Sequence, residues 1–359
     1  MTKEKIKILV TDDSAVTRKF LVALLSSDPD IEVIGTATNG TEAIAFIRKT
    51  KPDVITMDIN MPVMDGFEAT INIMSEIPIP IVIVSSEYSS SETAKKFKAF
   101  EVGAVSILPL PFGIGHVEYE ASKKRFISTV KLMSEVKLIR RWTKSPNPAV
   151  KSYQNEEHLI SEAFKAKESF IGIIAIGASA GGPIAVKDIL DNISPDLSVP
   201  IIVVQHIDAE FTQGYADWLN FTSKIKVVIA NDKEVMEPGK VYMAPGNHHI
   251  GVSDMNTILI SKDVPERGLR PSVSFLFRSI RNVYHNNALC ILLSGMGADG
   301  AIELKQLKDA GSITIAQDAE SSLIHGMPGE AIKLGGASHI LSPLQIVNFI
   351  KECNLILSK

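Results

Sequence analysis

A serine on a turn of small residues carries the clearest chemical signal in this sequence. Residues 171–182 read IGIIAIGASAGG, an apolar run that ends in small residues around Ser179. Their spacing fits G-x-S-x-G, in which small neighbours allow a sharp turn from a strand into a helix and leave the serine hydroxyl exposed. A serine hydroxyl attacks a carbonyl only when a base removes its proton. The turn therefore predicts a nucleophile, provided that the chain also supplies a base, an acid and donors for an oxyanion.

Candidates for the base and the acid follow two other predicted strands. His206 comes directly after the apolar run PIIVVQ, and Asp299 follows the run ILL through the glycine-containing turn SGMGA. The carboxyl ends of strands in an open parallel sheet share one rim, so Ser179, His206 and Asp299 are expected there together. In such a triad the aspartate fixes the imidazole tautomer and the histidine moves the proton.

His325 is an alternative base. The order Ser179, Asp299, His325 matches that of the α/β-hydrolases, in which nucleophile, acid and histidine follow one another. His206 is favoured because it ends a strong strand, lies one strand–helix unit after the serine, and belongs to a domain whose first strand carries that serine. The residues alone leave both histidines open.

A second set of chemical residues lies near the N-terminus. Asp12 and Asp13 directly follow the first predicted strand, and Asp58 directly follows the third. Three carboxylates at adjacent strand ends would repel one another unless a cation joined them. Oxygen ligands with open water positions suit Mg²⁺, so the sequence predicts a magnesium site there.

Each of these two sets of residues needs a parallel sheet to bring its members together. The pattern of the sequence predicts two such sheets. Short β-branched runs alternate with helical periodicity in the first part of the chain, which is typical of a doubly wound α/β domain. We expect strands at residues 6–10, 31–35, 54–57, 81–84 and 105–108, and helices at 15–25, 40–48, 66–75 and 91–100.

A second alternation of this kind begins at Phe170. We expect strands at residues 170–176, 199–205, 225–229, 289–293 and 313–316, and helices at 183–190, 211–219, 272–283, 300–309 and 328–334. Residues 240–261 lose the helical signal and alternate around turns, which predicts a β-hairpin. The predicted fold class is α/β, with two doubly wound parallel-sheet domains and a hairpin excursion in the second, larger one.

The segment between the two alternations is basic and then polar. Residues 119–142 carry apolar side chains at three-to-four spacing, which predicts an amphipathic helix lying on a domain. Residues 144–167 are proline-punctuated and lack sustained periodicity, as expected of a linker. We assign residues 1–118 to the first domain, 119–168 to a linker that includes this helix, and 169–359 to the second domain.

Composition excludes several classes of protein. The 359 residues carry a net charge of −4, which gives no electrostatic reason to expect nucleic-acid binding. No apolar run approaches the length of a membrane span, and the N-terminus lacks the apolar region of a signal peptide. Two cysteines, Cys290 and Cys353, cannot form a disulfide framework. We therefore expect a cytoplasmic protein without membrane insertion.

A set of motifs in fixed order resembles one family. The motifs are VTDDSAVTRKFL, MDINMPVMDGFEA, IVIVSSE, IAIGASAGG, VVQHI, YMAPGNHH, RPSVSFLF, LLSGMGADGA and IHGMPGEAI. Together they cover nearly the whole chain outside the linker and resemble the chemotaxis protein-glutamate methylesterases, the CheB family. The resemblance implies a flavodoxin-like receiver domain followed by a serine hydrolase. It further implies that the hydrolase removes methyl esters from glutamates on chemoreceptor cytoplasmic helices and deamidates receptor glutamines, and that a histidine kinase is the phosphodonor.

For the second domain, the resemblance assigns Ser179 as the nucleophile, His206 as the base and Asp299 as the orienting acid. The backbone amide of Met296 is the implied oxyanion donor, and the ester chemistry needs no cofactor. His325 becomes a secondary or structural residue of the site. Two departures are Ala180, where threonine is common, and Ser274, where aspartate is common.

For the first domain, the resemblance assigns phosphoryl acceptance to Asp58 and a contact with the phosphoryl oxygens to Ser85. Its implied Mg²⁺ ligands are Asp12, Asp13, Asp58 and the backbone carbonyl of Asn60.

Two receiver positions depart from the family. Leu110 stands where receivers usually carry a lysine that pairs with the phosphoaspartate, and Ile107 occupies the usual aromatic switch position. The departure at Leu110 favours weak regulation, and it leaves a scaffold or weakly regulated variant as the alternative function.

Three other features have ordinary structural interpretations. Arg270 precedes Pro271 and Ser272 at a predicted helix start, so capping is as reasonable as substrate contact. Adjacent His248 and His249 point to opposite sides of a strand, which argues against a shared metal. The glycine-rich turn at Ser179 lacks the G-x-G-x-x-G spacing of a nucleotide cradle.

Overall fold

The computed structural model describes residues 4–85, 97–136, 138 and 171–357. The chain divides into two compact units, Met1–Thr143 and Lys144–Lys359. Within the described parts of the chain, no helix combines the length and the apolar character that crossing a bilayer requires.

The first unit contains a five-stranded parallel sheet, ordered β2-β1-β3-β4-β5. This is the flavodoxin-like order, so the predicted doubly wound topology is confirmed. Every strand starts within one residue of its predicted position. The strands are β1 (Ile6–Thr11), β2 (Ile31–Ala37), β3 (Val54–Met57), β4 (Ile81–Ser85) and β5 (Ser106–Pro109).

Helices of the first unit begin where polar side chains cap them. Ser14, Asn39 and Asp65 accept backbone N–H bonds at the first turns of α1 (Ala15–Ser26), α2 (Gly40–Ile47) and α3 (Gly66–Glu76). Of the helix predicted at residues 91–100, only its end is described, where residues 97–101 are helical. Residues 91–96 lie outside the described part of the chain.

The basic helix predicted between the domains is α4 (Tyr119–Ser134), which ends eight residues earlier than predicted. It buries Phe126, Val130 and Met133. Its Lys131 Nζ lies 3.1 Å from Asp28 and 2.7 Å from Asp30. Because the two units divide after Thr143, α4 belongs to the first unit, whereas we had assigned it to the linker.

The second unit is built on a seven-stranded parallel sheet, ordered β14-β13-β12-β6-β7-β9-β8. Its strands are β6 (Ile173–Ala178), β7 (Ile201–Gln205), β8 (Lys226–Ile229), β9 (Lys240–Met243), β12 (Ala288–Leu292), β13 (Ile313–Gln317) and β14 (His339–Leu341). Its helices are α5 (Gly182–Asn192), α6 (Thr212–Thr222), α7 (Val273–Tyr284), α8 (Ala301–Asp309), α9 (Met327–Lys333) and α10 (Pro343–Leu357).

A β-hairpin leaves this sheet, as predicted, but it is shorter than predicted. Strands β10 (His249–Asp254) and β11 (Thr257–Ser261) pair antiparallel. The prediction was wrong for residues 240–243, since β9 pairs parallel with β7 and β8 inside the main sheet. A strand of only four residues does not contain enough sequence to indicate which strands it will pair with.

Helix α7 lies between the main sheet and the hairpin. Its Leu276, Phe277 and Ile280 are fully buried in a cluster that includes Ile173 from β6 and Ile250 from β10. Removing these apolar side chains from water contributes about 1.5–3 kcal/mol for each one. This packing holds α7 against the main sheet.

Candidate active site

Ser179 lies on a strand–turn–helix junction, as its small neighbours predict. Strand β6 ends at Ala178 and α5 begins at Gly182, whose N–H donates to the Ser179 carbonyl at 2.8 Å. Gly181 has a φ of 77°, in the left-handed region that favours glycine. A Cβ atom there would lie 2.5 Å from Leu323 Cβ and 2.6 Å from Ser294 Oγ. Conformation and space therefore both require glycine at this turn.

Replacement of Gly181 with alanine is expected to destabilise the second unit by about 2–4 kcal/mol, since left-handed strain adds to overpacking. Gly268→Ala is the matched control, because Gly268 has a φ of 83° but nothing lies within 4 Å of its added Cβ. That control isolates the conformational cost, about 1–2 kcal/mol. Urea denaturation of both variants measures the difference, and equal destabilisation would contradict the steric argument.

The two predicted partners of the serine follow the strands that flank β6. His206 follows β7 and Asp299 follows β12, and both strands pair with β6. His206 Nε2 lies 3.0 Å from Asp299 Oδ2. The Ser179 side chain is partly exposed, and its Oγ makes no hydrogen bond with the described residues. Three residues far apart in sequence therefore share one rim of the sheet.

Asp299 is held by the N-terminus of α7. Its Oδ1 accepts from Ser272 Oγ at 2.9 Å and from the Ser274 N–H at 3.1 Å, and its Oδ2 accepts from the Val273 N–H at 2.7 Å. Burial alone would raise the pKa of Asp299, but the hydrogen bond and charge of His206 and the bonds from α7 together lower it. The acid is therefore ionised at neutral pH.

An ionised Asp299 decides the roles of the two imidazole nitrogens. A carboxylate only accepts hydrogen bonds, so His206 Nε2 carries the proton in this pair. In the neutral imidazole the free lone pair is then on Nδ1. His206 is thus prepared to remove a proton through Nδ1.

The bonds that support Asp299 were missed by sequence reasoning. Ser272 is the N-cap of α7, and Pro271 precedes it. Ser274 Oγ donates to Glu303 at 2.7 Å and accepts from the Gly300 N–H at 2.9 Å. The N-cap serine was a detectable signal, but its distance of 27 residues from Asp299 hid the contact.

Arg270 has a structural position next to this cap. Its guanidinium donates to Asn247 Oδ1 at 2.9 Å and to the carbonyls of Lys262 and Asp263. These bonds tie together two loops beside the start of α7, whereas Ser272 performs the capping that we had considered for Arg270.

The glycine-rich loop after β12 passes directly against the serine. A Cβ atom on Gly295 would lie 2.7 Å from Ser179 Cβ. The Gly295 carbonyl accepts from the N–H groups of Gly326 and Met327, which fixes the loop. The Met296 N–H donates no hydrogen bond within the described part of the chain, and the same holds for the Ala180 N–H. Both amides are therefore free to donate to a ligand.

His325 lies beside this loop but has other contacts. It forms an isolated parallel bridge with Gly295, and its Nδ1 lies 3.2 Å from Ser322 Oγ. Burial is the main cause that lowers the pKa of His325. The imidazole bound to Asp299 is that of His206, so the geometry favours His206 over His325 as the base.

The adjacent histidines of the hairpin are each bonded to backbone groups. His249 is fully buried, its Nδ1 accepts from the Ser272 N–H at 3.2 Å, and its ring stacks on Phe275. His248 Nδ1 donates to the Gly246 carbonyl at 2.8 Å. These separate contacts explain both histidines as structural residues.

The carboxylates of the first unit lie at the ends of two paired strands, β1 and β3. Burial, together with the nearby charges of Asp12 and Asp13, raises the pKa of Asp58 to about 6. Burial also raises the pKa of Asp12. Among the described residues, no three acidic, histidine or cysteine side chains already form a metal-binding cluster. The mutual repulsion nevertheless fits a divalent cation, which would stabilise all three charges, and exposed Asp13 can adjust to it.

The other residues singled out in the first unit lie on β4, on β5 and directly after β5. Ser85 is buried, and its carbonyl accepts from the Leu110 N–H at 3.0 Å. The backbone of Leu110 therefore lies beside the end of β4, and an apolar residue stands where receivers usually carry a lysine. Ile107 is buried in β5 with 3% of its surface exposed, so it packs as a core residue.

Both units match known protein families. Residues 8–119 match the response regulator receiver domain, and residues 174–350 match the CheB methylesterase domain. A protein-glutamate methylesterase/protein-glutamine glutaminase of Geobacter metallireducens is 46% identical over 343 residues, which cover 95% of this chain and 97% of that protein. A protein of the same name from Nitrosospira multiformis is 47% identical over 340 residues, which cover 95% of this chain and 94% of that protein. The chain belongs to the CheB methylesterase family.

Membership of the CheB family confirms the two-part organisation that the motifs implied. The first unit is a response regulator receiver and the second is a methylesterase unit, so the chain is an enzyme. Among solved structures, the CheB methylesterase catalytic domain of Thermotoga maritima is 34% identical with a TM-score of 0.49, and it covers 50% of this chain and 98% of that domain.

Proposed function

We propose that the second unit hydrolyses glutamate methyl esters on the cytoplasmic helices of chemoreceptors, releasing methanol, and that it deamidates receptor glutamines. The observation that carries this proposal is the 3.0 Å pair of His206 and Asp299 at the rim where Ser179 ends its strand. The names of the full-length relatives support the same substrates. The alternative, a scaffold without catalysis, has no support in these observations, since all three residues of the triad are present.

The first half of the reaction forms an acyl-enzyme. Ser179 Oγ attacks the ester carbonyl carbon while His206 Nδ1 accepts the hydroxyl proton. Ionised Asp299 stabilises the imidazolium that results. The carbonyl oxygen becomes an oxyanion, to which the Met296 N–H donates, and the Ala180 N–H is a second donor. His206 then gives the proton to the leaving methoxy oxygen, and methanol departs.

The second half returns the serine. His206 Nδ1 accepts a proton from a water molecule, whose oxygen attacks the acyl carbon. The bond to Ser179 Oγ breaks, the serine takes the proton back, and the product is a receptor glutamate. With a glutamine side chain the same steps apply, and ammonia leaves in place of methanol.

The receiver accepts a phosphoryl group on Asp58 from a histidine kinase. Asp12, Asp13, Asp58 and the Asn60 carbonyl would hold Mg²⁺, which neutralises the charge of the phosphoryl group when it is bound. Ser85 supplies a hydroxyl to the phosphoryl oxygens. Arg18 donates to the carbonyl of Asp12 at 2.7 Å and so fixes the backbone that presents the two acidic residues.

Methanol release from receptor membranes carrying methylated glutamates tests the activity directly. The purified full chain is expected to release methanol, and a fluorophosphonate probe is expected to block the release while labelling Ser179. Turnover of simple esters at a rate that rivals the receptor methyl esters would instead indicate a small-molecule carboxylesterase. Absence of both labelling and release would support the scaffold.

Activation by phosphorylation is expected to be weak in this protein. Leu110 cannot make the ion pair through which a lysine senses the phosphoaspartate, so acetyl phosphate should raise the rate less than the family would suggest. Leu110→Lys is expected to increase the activation by about fivefold or more. Leu110→Met is the matched control of similar size without charge, and Asp58→Asn should abolish activation in each background. Strong activation of the wild-type chain that Asp58→Asn removes would contradict this prediction.

A further inference from the structure

Gln205, the last residue of β7, is bonded to the backbone of both predicted reacting residues. Its Nε2 donates to the Ser179 carbonyl at 2.8 Å and to the His206 carbonyl at 3.1 Å. Both partners are carbonyl oxygens, which only accept, so the amide nitrogen must face them. The side chain is 3% exposed. One carboxamide therefore uses both of its N–H groups to join the nucleophile turn to the base.

This link begins where the β-ladder stops. Ala178 and Gln205 are the last register pair of β6 and β7, and the His206 N–H donates to the Ala178 carbonyl at 2.9 Å. Ser179 and His206 are the residues that directly follow this pair. Beyond them, one strand leads into a helix and the other into a loop. The Gln205 side chain supplies the cross-strand connection at the level where backbone pairing no longer does.

The oxygen of the carboxamide shows that this arrangement costs free energy of folding. Gln205 Oε1 is buried and has no hydrogen-bond partner among the described residues. A buried acceptor without a partner costs about 1–3 kcal/mol. Gly182 allows the oxygen to lie there, since a Cβ at that position would be 2.7 Å away from it. An apolar side chain of the same length would avoid that cost, so the fold retains the amide in spite of the unsatisfied oxygen.

We propose that Gln205 is a positioning residue, which sets the distance and orientation between Ser179 and His206. This inference rests on the proposed function of those two residues. Transfer of the hydroxyl proton requires Oγ and Nδ1 within hydrogen-bond reach. A displacement of about 1 Å between reacting groups lowers a rate by about 100-fold. Gln205 acts on the proton transfer between Ser179 and His206, and it leaves substrate binding and the pair of His206 with Asp299 unchanged.

Gln205→Met in the full chain tests the proposal, since methionine has a similar length and no N–H donor. We expect kcat for methanol release, and the rate of fluorophosphonate labelling, to fall by about 10- to 100-fold. KM and the unfolding temperature should change no more than in the control Thr314→Val. That control likewise removes a buried polar group from strand β13 of the same sheet, here the Thr314 hydroxyl, which bonds to Gly336 and Ser338.

The outcomes separate this inference from the proposed function. Wild-type kcat and labelling in Gln205→Met would overturn the positioning role. A loss accompanied by a fall in unfolding temperature larger than that of Thr314→Val would also overturn it, since the role of Gln205 would then be structural. If wild type and Ser179→Ala released methanol equally, the proposed function itself would fail, whatever Gln205→Met showed.

Discussion

Ser179→Ala is expected to lower kcat for methanol release from methylated receptors by about 10⁵-fold or more. Alanine removes the only atom that forms the acyl bond, and the remaining oxyanion donors and substrate contacts account for what activity is left. The fluorophosphonate label should disappear at the same time. Receptor binding should persist, because the side chain that is lost is small and partly exposed.

Ser253→Ala provides the matched control for this variant. Ser253 lies on β10 in the same unit, is exposed, and donates to the neighbouring Asp254. Its removal should leave kcat, KM and labelling at their wild-type values. Retention of more than about one-hundredth of the activity in Ser179→Ala would show that another residue is the nucleophile.

His206→Ala is expected to produce a loss of similar size, roughly 10⁴-fold or more, since no other group that bonds to Asp299 in the described part of the chain can accept the serine proton. The variant removes the imidazole whose Nε2 lies 3.0 Å from Asp299. Added imidazole should restore part of the rate, because the small base can enter the space left by the ring. This rescue distinguishes a missing base from a damaged fold.

His325→Ala is the informative comparison, since sequence order alone allowed either histidine to be the base. His325 contacts Ser322 and the Gly295 loop, so we expect a change in kcat within about tenfold and no rescue by imidazole. Full activity of His206→Ala, together with a large loss in His325→Ala, would reverse the assignment.

Much of the fold was predictable because its signals are local. Alternation of β-branched runs with helical periods depends on neighbouring residues, and it located every strand of the first sheet to within one residue at its start. The start of α5 after Ser179 was equally clear, since Gly181 must be glycine for its own backbone conformation. Residues 240–243 were misassigned to the hairpin because a strand's partner in a sheet is not encoded within the strand.

The end of α4 shows a similar limit. Its apolar spacing continues to Val136, but the helix ends at Ser134, where the Glu135 N–H bonds back to the carbonyls of Leu132 and Met133. Spacing predicts which face is buried, whereas the ends of a helix depend on the capping contacts that each residue finds.

The sequence by itself predicted which residues carry chemistry and determined that they follow parallel strands. Turn residues and strand ends made Ser179 and Asp299 candidates, with either His206 or His325 as the base, and they indicated Asp12 and Asp58 in the same way. The tertiary structure decided how these candidates are arranged. It placed His206 Nε2, rather than Nδ1, on Asp299, and it joined that acid to the start of α7.

It also placed Gln205 between the backbones of the nucleophile and the base. The physical reason is that a hydrogen bond requires its two atoms to lie about 3 Å apart, and residues distant in sequence reach that separation only when the whole sheet has formed.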